Sequence, residues 1–432
     1  MSPTRRDFLK TSVGASTLLS LAPAVPTFLA RTAAANAGRR DAADTVLVVL
    51  QLAGGNDGLN TVVPYGDDEY AKCRSTLRLP AGQLHKIDDL LGFHPRMQGF
   101  ARLLKEGHLS VVQGVGYPNP HGGHFESMRI WQTACPERFS NCQTGWLGRA
   151  VDGAYEPASG RVPALYLGEI ERPFALNAQK AIIPAIRSLD QCLLRPMLGA
   201  EDAAAHGRRL ARSADLPRSQ QDNPMLAFVQ RTSLAAVVSH RQIEAVADGG
   251  AKASTADYPS FALARMLRAI AQLIRADQGI RIFFTELGGQ EPGGFDNHAN
   301  QRDNHAALLH HLSESVTAFV ADLQRDKLLD RVLLMTFSEF GRTVHENGRR
   351  GTDHGSAAPV FLVGGRVKGG LVGAHPNLTQ LENGGQKFHT DFRRVYATAL
   401  EHWLGFDSQP VLGQGFPPLD LLEGAARQVG QG

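Results

Sequence analysis

Short apolar runs recur along the chain, each ending in glycines or polar residues. They lie at 44–52 (DTVLVVLQL), 108–115 (HLSVVQGV), 161–167 (RVPALYL), 280–287 (IRIFFTEL), 332–337 (VLLMTF) and 360–363. Such short, β-prone runs without polar alternation read as strands buried on both faces, as in a parallel sheet. Between them the period lengthens to that of helices. The segment 259–275 (PSFALARMLRAIAQLIR) places Leu263, Met266, Leu267, Ile270, Leu273 and Ile274 on one stripe. It leads into the 280–287 run, and a helix over 305–323 leads into 332–337, as crossovers of an α/β fold do. From about 200 to 257 the composition turns to Ala, Arg, Ser and Gln with helical periodicity, read as a helical insertion rather than a separate domain. The closing stretch 391–404 predicts a helix burying Phe392, Val395, Tyr396, Leu400, Trp403 and Leu404, stopped by Gly405. Glu401 and His402 then fall on its solvated face, and His389 is an outlying candidate for a pocket.

Polar residues gather where the runs stop. Asp57 follows the first in a glycine-bearing loop, Asp296 and His298 follow the fourth, and Glu339 and Arg342 follow the fifth. Asp353 and His354 precede the sixth, on the loop that joins it to the fifth. Ligands of open α/β sheets bind at the carboxyl ends of strands, so these clusters define one candidate site. Carboxylates mixed with imidazoles suit a divalent ion. Zinc comes first, with manganese, calcium or magnesium as alternatives. After the 108–115 run, a loop with His121 and His124 leads to Ser127, read as opening a helix. A serine there is either an ordinary helix cap or a nucleophile facing the positive end of the helix dipole. His121 and His124 are either idle loop residues or part of the pocket lining.

The N-terminal 37 residues carry Arg5-Arg6-Asp7-Phe8-Leu9-Lys10, an apolar middle and an Ala-rich end. That is the pattern of a twin-arginine export signal, which implies the twin-arginine translocation machinery as a partner and a periplasmic or extracellular destination. No later stretch reaches the roughly 18 apolar residues of a membrane span. Lys+Arg number 45 and Asp+Glu 42; the signal takes four basic residues and one acidic, leaving 41 of each. A neutral mature chain (38–432), read as one domain, carries no electrostatic footprint for nucleic acid. Its four cysteines lack CxxC spacing, which argues against a zinc ribbon. Cys135 and Cys142 read equally as a short-loop disulfide or as reduced thiols.

The blocks GGNDGLN (54–60), HFESMRIWQTA (124–134), GGFDNHANQ (293–301), TFSEFGR (336–342), GTDHGSAAP (351–359) and DFRRVYATALEHWLG (391–405) resemble an exported bacterial family of unknown function. That family is distantly similar to the alkaline phosphatase and sulfatase superfamily. The resemblance implies a three-layer α/β sandwich with a mostly parallel central sheet. It implies that Asp57 binds a second metal, that Ser127 is the nucleophile, and that Asp296 and His298 bind a first metal. Glu339 stands where the superfamily has an Asp-His pair; Phe340 follows it, so one imidazole is missing there. His354 matches a late histidine ligand, supplemented by Asp353. No Cys-x-Pro-x-Arg or Ser-x-Pro-x-Arg signature surrounds Ser127, which argues against formylglycine chemistry.

The expected activity is metal-assisted hydrolysis of a small anionic phosphate or sulfate ester. Ser127 attacks, and Arg342 or Arg129 holds the anion bidentately. The competing expectation is a non-catalytic exported binding or envelope scaffold that keeps the fold.

Overall fold

The computed structural model describes residues 45–154, 164–169, 171–181, 183, 185–187, 256–277, 279–288 and 293–423. The expected export signal (1–37) and residues 200–255 of the expected insertion lie outside them. Among the described residues nine strands form the central sheet: β1 (Val46–Leu52), β2 (Leu109–Gly116), β3 (Ala164–Leu167), β4 (Ala185–Ile186), β5 (Ile282–Leu287), β6 (Val332–Phe337), β7 (Ala358–Gly364), β8 (Gly370–Val372) and β9 (Thr390–Asp391). Their order is β8-β2-β7-β6-β1-β5-β3-β4, with β9 also paired to β2. Only β7 runs antiparallel to its neighbours, pairing β2 on one side and β6 on the other. The apolar runs thus become strands of a mostly parallel sheet.

Alternation along the strands explains the layers. Val46, Val48, Leu50 and Leu52 of β1 face one core, while Leu47 and Val49 face the other. The first core is covered by helices α1 (Gln98–Lys105), α4 (Ala262–Arg275) and α5 (Gln301–Arg325), through residues such as Phe100, Leu267, Leu312 and Phe319. The second is covered by α2 (His124–Thr133), α3 (Trp146–Ala154) and the closing helix, through Trp131, Trp146, Tyr396 and Trp403. Burying both faces is what allows β1 to be apolar at nearly every position.

The closing helix follows the expected pattern with one change. It is α-helical over Phe392–Ala397, widens to π-helical turns over Thr398–Leu404, and ends at Gly405 with φ 70°. All six apolar residues expected inside are buried. Trp403 Nε1 donates to the Val46 carbonyl at 2.9 Å, fastening the helix to the start of β1. The small sheet of Val62–Val63, His85–Lys86 and Gly92–Phe93 has no counterpart in the sequence reading, because two-residue strands carry no periodic signal. No helix among the described residues is long and apolar enough to cross a membrane. Cys73, Cys135 and Cys142 are free thiols.

The three central strands end level with one another. Leu52 of β1 pairs with Leu287 of β5, and Gln51 pairs with Phe337 of β6. In-register parallel strands therefore deliver the loops after β1, β5 and β6 to one edge. Gly54 lets two of these loops touch: at φ +112° it lies so close to the next loop that a Cβ would stand 2.5 Å from the Asp296 nitrogen.

Candidate metal centre

At this edge a hydrogen-bond scaffold fixes the loops before any ligand is considered. The Ser338 hydroxyl donates to the Leu52 carbonyl at 2.7 Å and accepts from the Asn56 N–H at 2.9 Å. Glu339 Oε1 accepts from the Gly54 N–H at 2.8 Å. The Arg342 guanidinium donates to the carbonyls of Gly55 (2.7 Å), Thr352 (3.1 Å), Phe295 (3.1 Å) and Gly54, and to Asp296 Oδ1 (2.8 Å). One buried side chain thus ties three loops together and aims one carboxylate.

Around Asp296 Oδ1 stand three imidazoles. The Nε2 atoms of His298, His124 and His354 lie 3.0, 3.3 and 3.3 Å from it, and His298 Nε2 lies 2.9 Å from His354 Nε2. Each ring is fixed from behind through Nδ1. His124 Nδ1 meets Glu339 Oε1 at 2.9 Å, His298 Nδ1 meets Asp353 Oδ1 at 2.9 Å, and His354 Nδ1 meets the Gly122 carbonyl at 2.7 Å. Those oxygens accept, so Nδ1 donates in each case, and the neutral tautomer leaves a lone pair on each Nε2. The Nε2 of His124 is buried without a hydrogen-bond partner.

Four electron-pair donors converging this way repel unless a cation sits among them, either as protons on the rings or as a metal ion. Ligand atoms about 2.0–2.1 Å from a tetrahedral ion stand about 3.3–3.4 Å apart, close to the spacing around Oδ1. His124, Asp296 and His354 form a group able to hold a metal ion, each offering one ligand atom within 4.8 Å of the others. Three carboxylates (Asp296, Glu339, Asp353) against the Arg342 guanidinium leave two negative charges, the complement of a divalent ion. A carboxylate or carbonyl behind each imidazole is the usual way a ligating histidine is oriented. The residues fit the group.

Electrostatics agree. Burial pushes the Asp296 carboxyl up, but the hydrogen bond and charge of Arg342, with His124 and His298, outweigh it and hold it at about 2. The Glu339 hydrogen bond raises His124, against its partial burial. The hydrogen bond from His298 lowers Asp353. Two of the supports are closed and the cluster itself is more open: side-chain exposure is 3% for Glu339 and 0% for Arg342, against 44% for Asp296 and 32% for His298, while the third side-chain support, Asp353, is 55% exposed. A small molecule can therefore reach the centre without disturbing Glu339 or Arg342.

Of the residues expected to bind metal, Asp296, His298 and His354 come together as ligand heads, while Glu339 and Asp353 stand behind imidazoles. Asp57 is placed otherwise. Its carboxylate is gripped by Arg74 (Nη1 to Oδ2 2.6 Å, Nη2 to Oδ1 3.0 Å) and by Gln301 Nε2 at 2.5 Å. Both oxygens already accept from a buried guanidinium whose charge neutralises the carboxylate, so the residue is a poor match for a second metal.

The expected catalytic residues are also placed elsewhere. Helix α2 opens at His124 with Gly123 as its cap, so Ser127 is the fourth helical residue and not the first. Ser127 is fully buried; its hydroxyl donates to the His121 carbonyl at 2.7 Å and accepts from the Tyr117 hydroxyl at 3.4 Å. The proposed nucleophile is thus turned onto the loop that precedes its helix. Arg129 donates to the Cys142 carbonyl at 2.9 Å and lies 3.1 Å from the centroid of the Phe174 ring. Arg342 is committed to carbonyls and Asp296, so neither arginine is a free anion clamp. His389 pairs with the Thr390 hydroxyl at 3.0 Å beside β2. His124 is the member of the cluster for which the sequence left two readings open. Its signal was the HGGHFE stretch, where two glycines free the backbone just before a helix that starts on histidine.

Fold and site together define a three-layer α/β protein with a histidine–carboxylate cluster at the carboxyl edge of its sheet. The chain belongs to a family described as protein of unknown function (DUF1501), whose model matches residues 44–415. No curated protein matches it. Among solved structures it is similar to the PsFucS1 sulfatase from Pseudoalteromonas sp., with TM-score 0.40 and 11% identity, over 91% of this chain and 74% of that one. It is also similar to a protein in the alkaline phosphatase superfamily from Vibrio parahaemolyticus (TM-score 0.37, 10% identity, 90% and 77% covered). A third is the C-terminal periplasmic domain of EcEptC from Escherichia coli in complex with Zn (TM-score 0.35, 10% identity, 74% and 72% covered). At such distances the site rests on its own residues.

Proposed function

We propose that the protein is an exported divalent-metal-dependent hydrolase of small phosphate or sulfate esters, working in the periplasm or outside the cell after twin-arginine export. The observation that carries the metal is the convergence of three Nε2 lone pairs on Asp296 Oδ1, each imidazole being fixed through Nδ1. His124, Asp296, His298 and His354 hold the ion, with zinc the best match to three imidazoles and one carboxylate. When bound, the ion supplies Lewis acidity, polarising an ester oxygen and acidifying a coordinated water.

The chain's own residues do the rest. Glu339, Asp353 and the Gly122 carbonyl keep the imidazole protons on Nδ1, away from the reacting face. Arg342 holds Asp296 ionised and oriented. Helix α2 begins at the centre with no side-chain cap on its first N–H groups. Its positive end favours an anionic ester there, taking the part first expected of arginine. Water, rather than Ser127, is the attacking group that this arrangement supports. The reaction class itself rests on the superfamily resemblance, and the metal centre supplies its chemistry.

The test is hydrolysis of phosphate and sulfate monoesters by the purified full chain, with metal content measured alongside. Activity that disappears with a chelator and returns with zinc or manganese is the expected result. Metal bound with no turnover of either ester class would overturn the hydrolase assignment. Absence of bound metal would overturn the centre itself.

A further inference from the structure

The superfamily resemblance implies two metals, yet the position expected to bind the second is already filled by a cation of the protein's own. Arg74 has no exposed side-chain surface and Asp57 only 2%. Besides both Asp57 oxygens, Arg74 donates from Nε to the Val344 carbonyl at 2.7 Å and from Nη2 to the Thr343 carbonyl at 2.9 Å. A carboxylate accepting a guanidinium fork and a side-chain amide has three of its roughly four lone-pair sites occupied, and Asp57 keeps only 2% of its side chain exposed. Admitting a metal ion would require displacing a fully buried arginine from four acceptor atoms.

We propose that the centre holds a single divalent ion and that the Arg74 guanidinium stands permanently where a second would neutralise Asp57. The claim rests on the metal reading above and narrows it. It also gives Asp57 a task. Gln301 spans from Asp57 to the Thr352 hydroxyl (2.6 Å), the Thr352 carbonyl accepts from Arg342, and Arg342 holds Asp296. The buried ion pair and the open centre are thus two ends of one hydrogen-bonded chain, with Asp57 a positioning residue.

The test is stoichiometry. The full chain is stripped with a chelator, then titrated with Zn²⁺ by calorimetry, with metal content confirmed by mass spectrometry. One tight equivalent per chain is expected, both in the wild type and in the paired variant Asp57→Asn/Arg74→Gln, which replaces the ion pair with a neutral amide pair. His354→Ala should weaken that equivalent at least tenfold. Two tight equivalents in the wild type overturn the single-ion claim and leave the metal reading standing. None in the wild type overturns the metal reading instead. Because the wild-type count decides alone, failure of the paired variant to fold does not leave the claim untested.

Discussion

Two loops of this protein look alike in sequence and do opposite things. Gly54-Gly55-Asn56-Asp57 follows β1 and Gly293-Gly294-Phe295-Asp296 follows β5, the strand beside it in the sheet. Both aspartates sit at the carboxyl edge. Asp57 is closed over by Arg74 and Gln301, while Asp296 stays 44% exposed among three imidazoles. Part of the difference lies in the loops, since the second carries His298 two residues after its aspartate. The rest lies in what the chain brings to them: a buried arginine from the turn after the 68–73 helix in one case, His124 and His354 from two other segments in the other. A strand-end carboxylate is therefore only half a site, and its partners decide whether it stores stability or offers chemistry.

The largest effect expected from this contrast is on stability. Asp57→Ala leaves the Arg74 guanidinium buried and unpaired, which costs about 3–5 kcal/mol. Against a total of roughly 5–15 kcal/mol that is a severe loss. Asp296→Asn should cost no more than ~1 kcal/mol in metal-free protein, because the amide oxygen still accepts from Arg342. Chemical denaturation of both variants without metal compares the two loops directly. Equal losses would show that the two carboxylates play the same structural part.

Next comes Glu339→Gln, which acts on the open loop alone. Glutamine keeps an acceptor for the Gly54 N–H but loses the charge that anchors the His124 proton. Metal affinity should fall by about 10–100-fold, as for other groups that orient a ligating histidine. Competition with a chromogenic chelator measures it. The fold should hold, so an unchanged affinity would mean that His124 is not a ligand.

A third prediction concerns the floor that both loops share. His305 Nε2 meets Asn56 Oδ1 at 3.1 Å, and its ring lies edge-on to Phe295 and His94. Burial lowers His305 to about 4, with Asp57 opposing and Arg74 and Arg342 assisting. Burial and the neighbouring His305 lower His94 to about 3. Between these values and the ordinary 6.5, the unfolded chain binds protons that the folded one refuses. Stability is then complete above about pH 6.5 and falls as pH drops toward 4. Denaturation midpoints across that window should slope downward on acidification, and His305→Gln should flatten the slope. A midpoint independent of pH there would contradict the buried neutral imidazoles.

The strands were legible because their apolar runs are long enough to be buried on both faces; β6 matches its expected bounds, and β1 and β5 begin two residues inside theirs. The candidate loops were legible for the same reason, since a run that stops on Asp, Glu or His stops at the sheet edge. What the sequence did not carry was direction. Nothing in GGND says that Arg74 will reach back to Asp57, because that pairing depends on where a six-residue helix docks. Nothing in TFSEFGR says that Glu339 will support a histidine 215 positions earlier. His124 was open to notice as a helix-starting histidine, but the helix was expected to open at Ser127, to which the resemblance then gave the nucleophile's role. The helix began three residues sooner and turned the serine inward.

Ser127→Ala is the smallest change and the one that bears most on mechanism. The hydroxyl makes one good hydrogen bond, to the His121 carbonyl, in a fully buried position. Its removal leaves that carbonyl and the Tyr117 hydroxyl each short of a partner, at a cost of about 1 kcal/mol. If serine were the nucleophile, the loss of activity would be nearly complete. With water as the attacking group, kcat should stay within about threefold of wild type, a barrier change of no more than ~0.7 kcal/mol. The two outcomes differ by orders of magnitude, so one rate measurement at saturating ester and metal separates them. A burst of covalently held phosphate in the wild type, absent from Ser127→Ala, would restore the serine. No burst and a preserved kcat would place the chemistry wholly in the open loop around Asp296.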